Sequence, residues 1–575
     1  MFNSIIFFIK KTFEKYPNKF LFFIFLIVID SLFVLASFAS ILPFADFIVD
    51  PELKSPNKLT QYVLIVFRML DIIPSYFSFS VFFICTLLTT TITTLIIINQ
   101  TLVIKYSFEK SIAKDLLDSI LNCKWSYLTR LNQGKILNIF TREIGNVGSS
   151  IKITGQIFSN LIKLLIYLYV PFVIDQEFTL IVFLSIFCLG FPFLFLNKLA
   201  TKIGRERTVA GNNMVEILSE TYQSIKLILG FNLSKKVIKN NMLLFDLQIK
   251  KDINTQILSL VVPYFFRPIA IIILLVVFGN NFALEKLPTY VAIFWGLYGS
   301  IPLISLLINS SLTVSSFYPS YQQITDVIDN CNKFKDSNEG KNFQDLQKEI
   351  KLENVNFSYN KNLQILNNCN IIIPAKKITT FIGKTGIGKS SIIDLLLGLQ
   401  FPDSGKIYYD NNSLNALNIR SLRDRVGYVP QDPLLFNTSI KNNILWANSD
   451  IQDLKIYEIL ENINAKEFID NAPEKLETIV GERGLKISGG QRQKVALARA
   501  IARNPDILIL DEALSSIDVG SAEIINRYLQ KLSKKMTIIN ITHEIGHVKY
   551  ADTVIKLVDG KYIVTENSTK DELLK

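Results

Sequence analysis

The sequence predicts a polytopic α-helical membrane domain of six transmembrane helices followed by a soluble α/β domain. Three observations predict it. Of the 575 residues 49% are hydrophobic and the mean hydropathy is +0.31, too apolar for a soluble protein of this length. The long apolar stretches all precede about Phe317. From about Glu349 onward short β-rich runs alternate with helical ones, and a glycine-rich turn ending in Lys-Ser sits between an apolar strand and an apolar helix.

Six stretches reach the roughly 20 residues that cross a bilayer, over 20–49, 77–104, 153–174, 178–196, 257–277 and 290–312. No cleavable signal peptide is expected, because the first stretch is long, starts late and lacks a small-residue cleavage site. Lys10, Lys11, Lys15 and Lys19 precede the first span, and two long basic loops follow the second and the fourth. The opposite side carries only Lys54, Lys58, Arg68 and Lys286, so both termini and the soluble domain are expected on the cytoplasmic side of the membrane. The net charge of +11 is assigned to this asymmetry and not to nucleic-acid binding. The inner loops read as helical, as in SFEKSIAKDLLDSILNCKW, and such extensions give a soluble domain something to push. The chain divides into a transmembrane domain over 1–317, a linker over 318–348 and the soluble domain over 349–575. Cys85, Cys123, Cys188, Cys331 and Cys369 are scattered without paired spacing and are read as packing residues.

In the soluble domain, G-x-x-x-x-G-K-S runs through Gly383, Lys384, Thr385, Gly386, Ile387, Gly388, Lys389 and Ser390, with Ser391 opening the helix. Glycines let backbone N–H groups cradle phosphate oxygens at a helix N-terminus, Lys389 adds a cation, and the Ser390 hydroxyl suits magnesium. This predicts a P-loop site for ATP with Mg2+. In PDILILDEALSSID a buried strand ends at Asp511, placed to reach the same magnesium, and Glu512 is placed to polarise an attacking water. LKISGGQRQKVALARA puts Ser488, Gly489, Gly490 and Gln491 ahead of a second basic helix. One active site does not need two phosphate-binding helix starts, so the second is assigned to the ATP of a partner.

HEIGH, from His543 to His547, matches the zinc-protease pattern H-E-x-x-H and holds the only 2 histidines of the chain. A zinc metalloprotease is the remote alternative. His543 ends a strand, Gly546 weakens a helical turn by about 1 kcal/mol relative to alanine, and a third ligand is missing, so Glu544 and His547 are read as surface residues.

The order and spacing of Gly383 to Ser390, YVPQD with Gln431, ISGGQ with Ser488, LILDE with Glu512, SSID with Asp518 and THE with His543 closely resemble the ATPase domain of an ABC transporter. The whole chain resembles an ABC exporter half-transporter, a polytopic membrane domain fused to one α/β P-loop NTPase domain of ABC type. Ile487 stands where that family usually has leucine, and SSID where it usually has SALD. By this resemblance Tyr359 stacks on adenine, Gln431 senses the magnesium and the water, and Asp518 lines a dimer interface. The turn at Ser488 and Gly490 contacts the γ-phosphate across that interface, and Glu512 with His543 carries hydrolysis. One ATPase per chain implies a homodimer, with no degenerate position that calls for a helper.

The cargo is read from weaker signals. Leu59, Val63, Leu64, Phe67 and Leu70 recur near helical spacing between the first two spans, flanked by Lys58 and Arg68. This predicts an amphipathic helix that either lies in the outer membrane interface or caps the spans. With the LPF turn at Leu42 to Phe44, this layout is similar to flippases for lipid-linked oligosaccharides, in which cavity arginines hold the pyrophosphate. Here Arg267 in PYFFRPIA is the candidate substrate residue, although the last span has no arginine; Lys163 and Asp30 are further candidate cavity residues. An amphiphilic or lipid-linked substrate and membrane lipids are the expected partners, with multidrug or peptide export as the alternative.

Overall fold

The structure is a computed structural model. It describes the chain except residues 1, 41–42, 44–45, 49–55, 57, 175, 177–179, 181–183, 185–194, 280–286, 337–338, 361–362, 384–386, 559–560 and 566–575. Two compact units are present, Met1–Asn122 with Arg130–Lys333, and Cys123–Thr129 with Phe334–Lys575.

The first unit is helical. Pro17–Ser37, Tyr76–Leu121, Gln133–Tyr169 and Gly299–Lys333 are the described segments long and apolar enough to cross a membrane. Most of the stretch expected at 178–196 lies outside the described residues, while 257–277 falls within the helix Ser234–Gly279. Helices here outrun the bilayer. The 46 residues of Tyr76–Leu121 rise about 69 Å at 1.5 Å each against a hydrocarbon thickness of roughly 30 Å, and their far end is the charged SFEKSIAKDLLDSIL. The last helix likewise runs from Leu287 on to Lys333, through residues where a linker was expected to begin.

Where these helices pack, several buried or half-buried charges are paired. Asp30 is fully buried, with its carboxylate 2.7 Å from the Lys163 ammonium. The hydroxyls of Thr93 and Thr94 donate to its Oδ1 at 2.5 and 3.2 Å. Asp30 and Lys163, expected as separate cavity residues, therefore neutralise one another between three helices; an unpaired charge at this depth would be costly. Arg142 and Arg207 similarly converge on Asp252, at 2.5 and 2.9 Å, beside a π-helical turn over Ile139–Glu143. Arg267 lies on the helix Ser234–Gly279, and its side chain is outside the described residues.

The expected amphipathic segment is a helix, Lys58–Met69. Val63 and Phe67 are buried against Phe79, and Thr60 donates to Asp46 at 2.5 Å. Tyr62, Ile65, Val66 and Met69 on its other side are exposed, so both faces are apolar.

Among its described residues the second unit holds three sheets, the smallest being the parallel pair Lys341–Asn342 and Leu417–Asn418. Five parallel strands and one antiparallel edge strand run in the order Lys561–Thr565, Thr553–Val558, Ile378–Ile382, Thr537–Thr542, Ile507–Asp511 and Val426–Val429. The central strands are buried along almost their whole length because both faces are covered, and Ile507–Asp511 and Thr537–Thr542 are buried at every residue. A separate antiparallel sheet contains Glu349–Asn360, Leu363–Pro374 and Ser404–Tyr409. The short helix Trp125–Leu128 belongs to this unit: the Lys124 N–H donates to the Phe334 carbonyl at 2.8 Å, and the Tyr127 ring stacks on Phe334.

Candidate nucleotide site

Register assembles the site. Thr542 pairs with Ile382, Asp511 with Ile541, and Val429 with Leu510, so the parallel strands end level with one another. The residues that follow them emerge at one edge: Gly383, His543, Glu512 and Gln431. This is where an open parallel sheet places its ligands.

Gly388 caps the helix Lys389–Leu396 with φ +107°, and a Cβ there would lie 2.6 Å from Ile365 Cγ2. Only glycine suits both demands. Lys389 is buried and its ammonium donates to the Gly383 carbonyl at 2.5 Å, so the lysine lies back along the turn it serves. Ser390 is exposed at the mouth, whereas Ser391 is buried and bonds the Tyr359 hydroxyl at 3.3 Å. Ile387 is partly buried; Lys384, Thr385 and Gly386 lie outside the described residues. The Tyr359 hydroxyl donates to Asp394 at 3.1 Å, leaving a ring that is 43% exposed and free to receive a base. Asp394 was missed in the sequence, where it reads as one more polar residue in an apolar helix.

Glu512 is the hub. Its carboxylate accepts from Gln431 Nε2 at 2.9 Å, lies 3.4 Å from His543 Nδ1, and has the Lys389 ammonium at 3.9 Å. Its backbone has φ +49° and donates to the Ile541 carbonyl at 2.9 Å. A left-handed non-glycine residue costs about 1–3 kcal/mol, a strain typical of functional positions. The neighbouring Asp511 is desolvated and faces the charges of Glu512 and Asp394, which together raise its carboxyl to about 6 despite Lys389. A buried oxygen ligand with excess negative charge around it fits a hard divalent cation.

The Ser488 turn is built separately. Ser488 caps the helix Gly489–Ala502 through a reciprocal box with Gln491, at 3.3 and 2.9 Å. The buried Gln493, also missed, accepts the Ser516 N–H at 3.0 Å, and a Cβ on Gly490 would lie 2.8 Å from the Ser516 carbonyl. Asp518 caps the helix Val519–Leu532 by accepting from Ser521 at 2.8 Å, which holds its carboxyl below the usual range.

The HEIGH segment does not form a zinc pair. Ile545–Tyr550 is 3-10 helical, and among the described residues no three His, Cys, Asp or Glu side chains are grouped to hold a metal. Glu544 is exposed as expected, but His547 is buried, contrary to the surface position read from the sequence. Its burial is tolerated because both ring nitrogens have partners, Asn526 at 2.8 Å and Glu544 at 3.0 Å.

Comparison with known proteins agrees with this geometry. Residues 366–515 match the ABC transporter family, and residues 19–241 match the ABC transporter transmembrane region. The heterocyst differentiation ATP-binding protein HepA of Nostoc sp. is 29% identical over 464 residues, covering 80% of this chain and 76% of that protein. The ATP-dependent lipid A-core flippase of Syntrophus aciditrophicus is 24% identical over 468 residues, covering 80% and 77%. The structure of a bacterial Atm1-family ABC exporter with ATP bound shares the fold with a TM-score of 0.81 at 17% identity, covering 97% of this chain and 96% of that one.

Fold and site together define an ATP hydrolase coupled to transmembrane transport. The chain belongs to the ABC transporters, as an exporter half-transporter in which one membrane domain is followed by one ATPase domain.

Proposed function

We infer that two copies of this chain hold ATP between the Lys389 loop of one and the Ser488 turn of the other, and use its hydrolysis to move an amphiphilic or lipid-linked substrate across the inner membrane. The observation that carries the dimer is the second helix start: Ser488 is exposed and caps the helix Gly489–Ala502, although the Lys389 loop already supplies one phosphate-binding helix start. In this arrangement Tyr359 supports the base, Lys389 and the loop amides hold phosphate, and Asp518 and Gln491 lie at the junction. Ser390, Gln431 and Asp511 would hold magnesium, which supplies charge neutralisation at the phosphates. Glu512 accepts a proton from the attacking water, and His543 holds Glu512 and the departing charge in register. The closed dimer has greater affinity for nucleotide than the open one, and that difference is what drives the membrane helices. The lysine and arginine asymmetry supports cytoplasmic termini.

A lipid-class cargo is supported by the kinship to a lipid A-core flippase and by the helix Lys58–Met69 with apolar groups on both faces. A lipid-linked oligosaccharide is one member of that class, with Arg267 the candidate for its pyrophosphate. The test is ATP turnover by the full chain in proteoliposomes containing lipid A, a polyprenyl-linked glycan or a soluble amphiphilic drug. Stimulation by one of the lipids and not by the drug is expected; stimulation by the drug alone refutes the lipid reading. Full turnover by a strictly monomeric protein refutes the dimer.

Asp511 gives the site a pH dependence. A carboxyl raised to about 6 takes up a proton as pH falls through that value, and the protonated form is a poor cation ligand. Magnesium-dependent nucleotide binding is therefore expected to weaken from about pH 7 to 5, by up to tenfold per unit below the midpoint. Titration calorimetry on wild type and Asp511→Asn checks it, and identical slopes for the two proteins would remove Asp511 from this role.

A further inference from the structure

The second half of HEIGH has no part in the hydrolysis assigned above, yet its histidine is buried in the ATPase unit. The His547 side chain is 8% exposed. Its Nδ1 meets the Asn526 amide at 2.8 Å and its Nε2 meets the Glu544 carboxylate at 3.0 Å. With Asn526 assigned as the donor, the neutral ring protonated on Nε2 satisfies both contacts at once. Glu544 is in turn held by its own N–H, which donates to the Thr542 hydroxyl at 3.0 Å. The residue enclosed by this chain of bonds is His543, whose Nδ1 stands 3.4 Å from Glu512.

Asn526 belongs to the helix Val519–Leu532, which begins at Asp518. That helix meets the 3-10 segment at three regular points: Glu523 pairs with Lys549 at 3.1 Å, Asn526 bonds His547, and Gln530 donates to the Tyr550 carbonyl at 3.3 Å. Positions 523, 526 and 530 share one helical face. Only the middle contact is buried, and Val548 and Ala551 pack beside it in the same core as Ile525 and Leu529.

We propose that His547 is a positioning residue, which through Asn526 and Glu544 ties the turn that begins at His543 to the helix that begins at Asp518, so that the hydrolytic histidine and the interface aspartate move as one body. This rests on the reading of Glu512 and His543 as the hydrolytic pair. Its consequence is specific: loosening the tie shifts His543 relative to Glu512 without touching the nucleotide-binding loop.

The test is steady-state ATP hydrolysis by the full-length protein, with kcat and KM determined separately. His547→Ala and Asn526→Ala are each expected to lower kcat about tenfold, as a displaced catalytic group does, with KM for ATP changed less than twofold. The double variant is expected to be no worse than either single one, since both break one contact. His547→Gln, which keeps a donor and an acceptor, is expected to recover most of kcat. Glu544→Ala removes an exposed side chain with little risk to folding and is expected to lower kcat about threefold by the same displacement. Wild-type kcat in Glu544→Ala together with no recovery in His547→Gln overturns the proposal, as does a loss expressed in KM. Glu512→Gln separates the two readings: inactive Glu512→Gln beside fully active His547→Ala overturns the positioning role alone, whereas active Glu512→Gln overturns the hydrolytic assignment.

Discussion

Glu512→Gln is expected to lower ATP turnover by about three orders of magnitude while ATP still binds. The side chain is 11% exposed and held by Gln431 and His543 in one position at the edge of the parallel sheet. Glutamine has the same shape, so the loop containing Lys389 and Gly388 is undisturbed. What is lost is the ability to take a proton from water and the negative charge that orients His543. Nucleotide is therefore retained in the closed, unhydrolysed state, and dimers should accumulate with ATP. Phosphate release and size-exclusion chromatography with and without ATP check both halves. Turnover within about tenfold of wild type would mean that another group activates the water. The left-handed backbone of Glu512 sharpens the expectation, because such strain is retained where the side chain must point in one direction.

Lys163→Met is expected to destabilise the membrane unit by about 3–5 kcal/mol, as removal of one partner from a buried ion pair does. Asp30 has no exposed surface, and after the substitution its charge would face the Thr93 and Thr94 hydroxyls without the Lys163 cation. The double variant Asp30→Leu/Lys163→Met is expected to recover most of the loss, since a well-packed apolar pair is often as stable as the ionic one it replaces. Thermal unfolding in detergent measures both. Equal stability of wild type and Lys163→Met would show that Asp30 stays comfortable without its partner. Recovery in the double variant with transport intact would assign the pair to architecture, and recovery with transport lost would assign it to the cargo path.

Much of the nucleotide site was legible because it is local. In a parallel sheet the residue after each strand reaches the ligand edge, so Gly383, Gln431, Glu512 and His543 announce themselves by following apolar runs. The glycine at 388 was visible for the same reason: a left-handed turn before a helix leaves a mark in the sequence. Asp394 and Gln493 left none, because their roles come from neighbours far away in the chain. The error at His547 has the same origin. A lone histidine after a strand reads as exposed, and one of the two partners that make its burial tolerable, Asn526, lies 21 residues earlier.

The chain alone determined that apolar helices precede a nucleotide-binding α/β domain, since span length, charge asymmetry and glycine turns are properties of consecutive residues. Tertiary structure decided which polar groups meet: Asp30 with Lys163, His547 with Asn526, and Gln493 with the backbone of Ser516. Those facts depend on distances across helices and sheets, which side-chain periodicity cannot encode. A buried ion pair and a pair of exposed charges look equally polar in one dimension, and they differ only by what the fold sets opposite them.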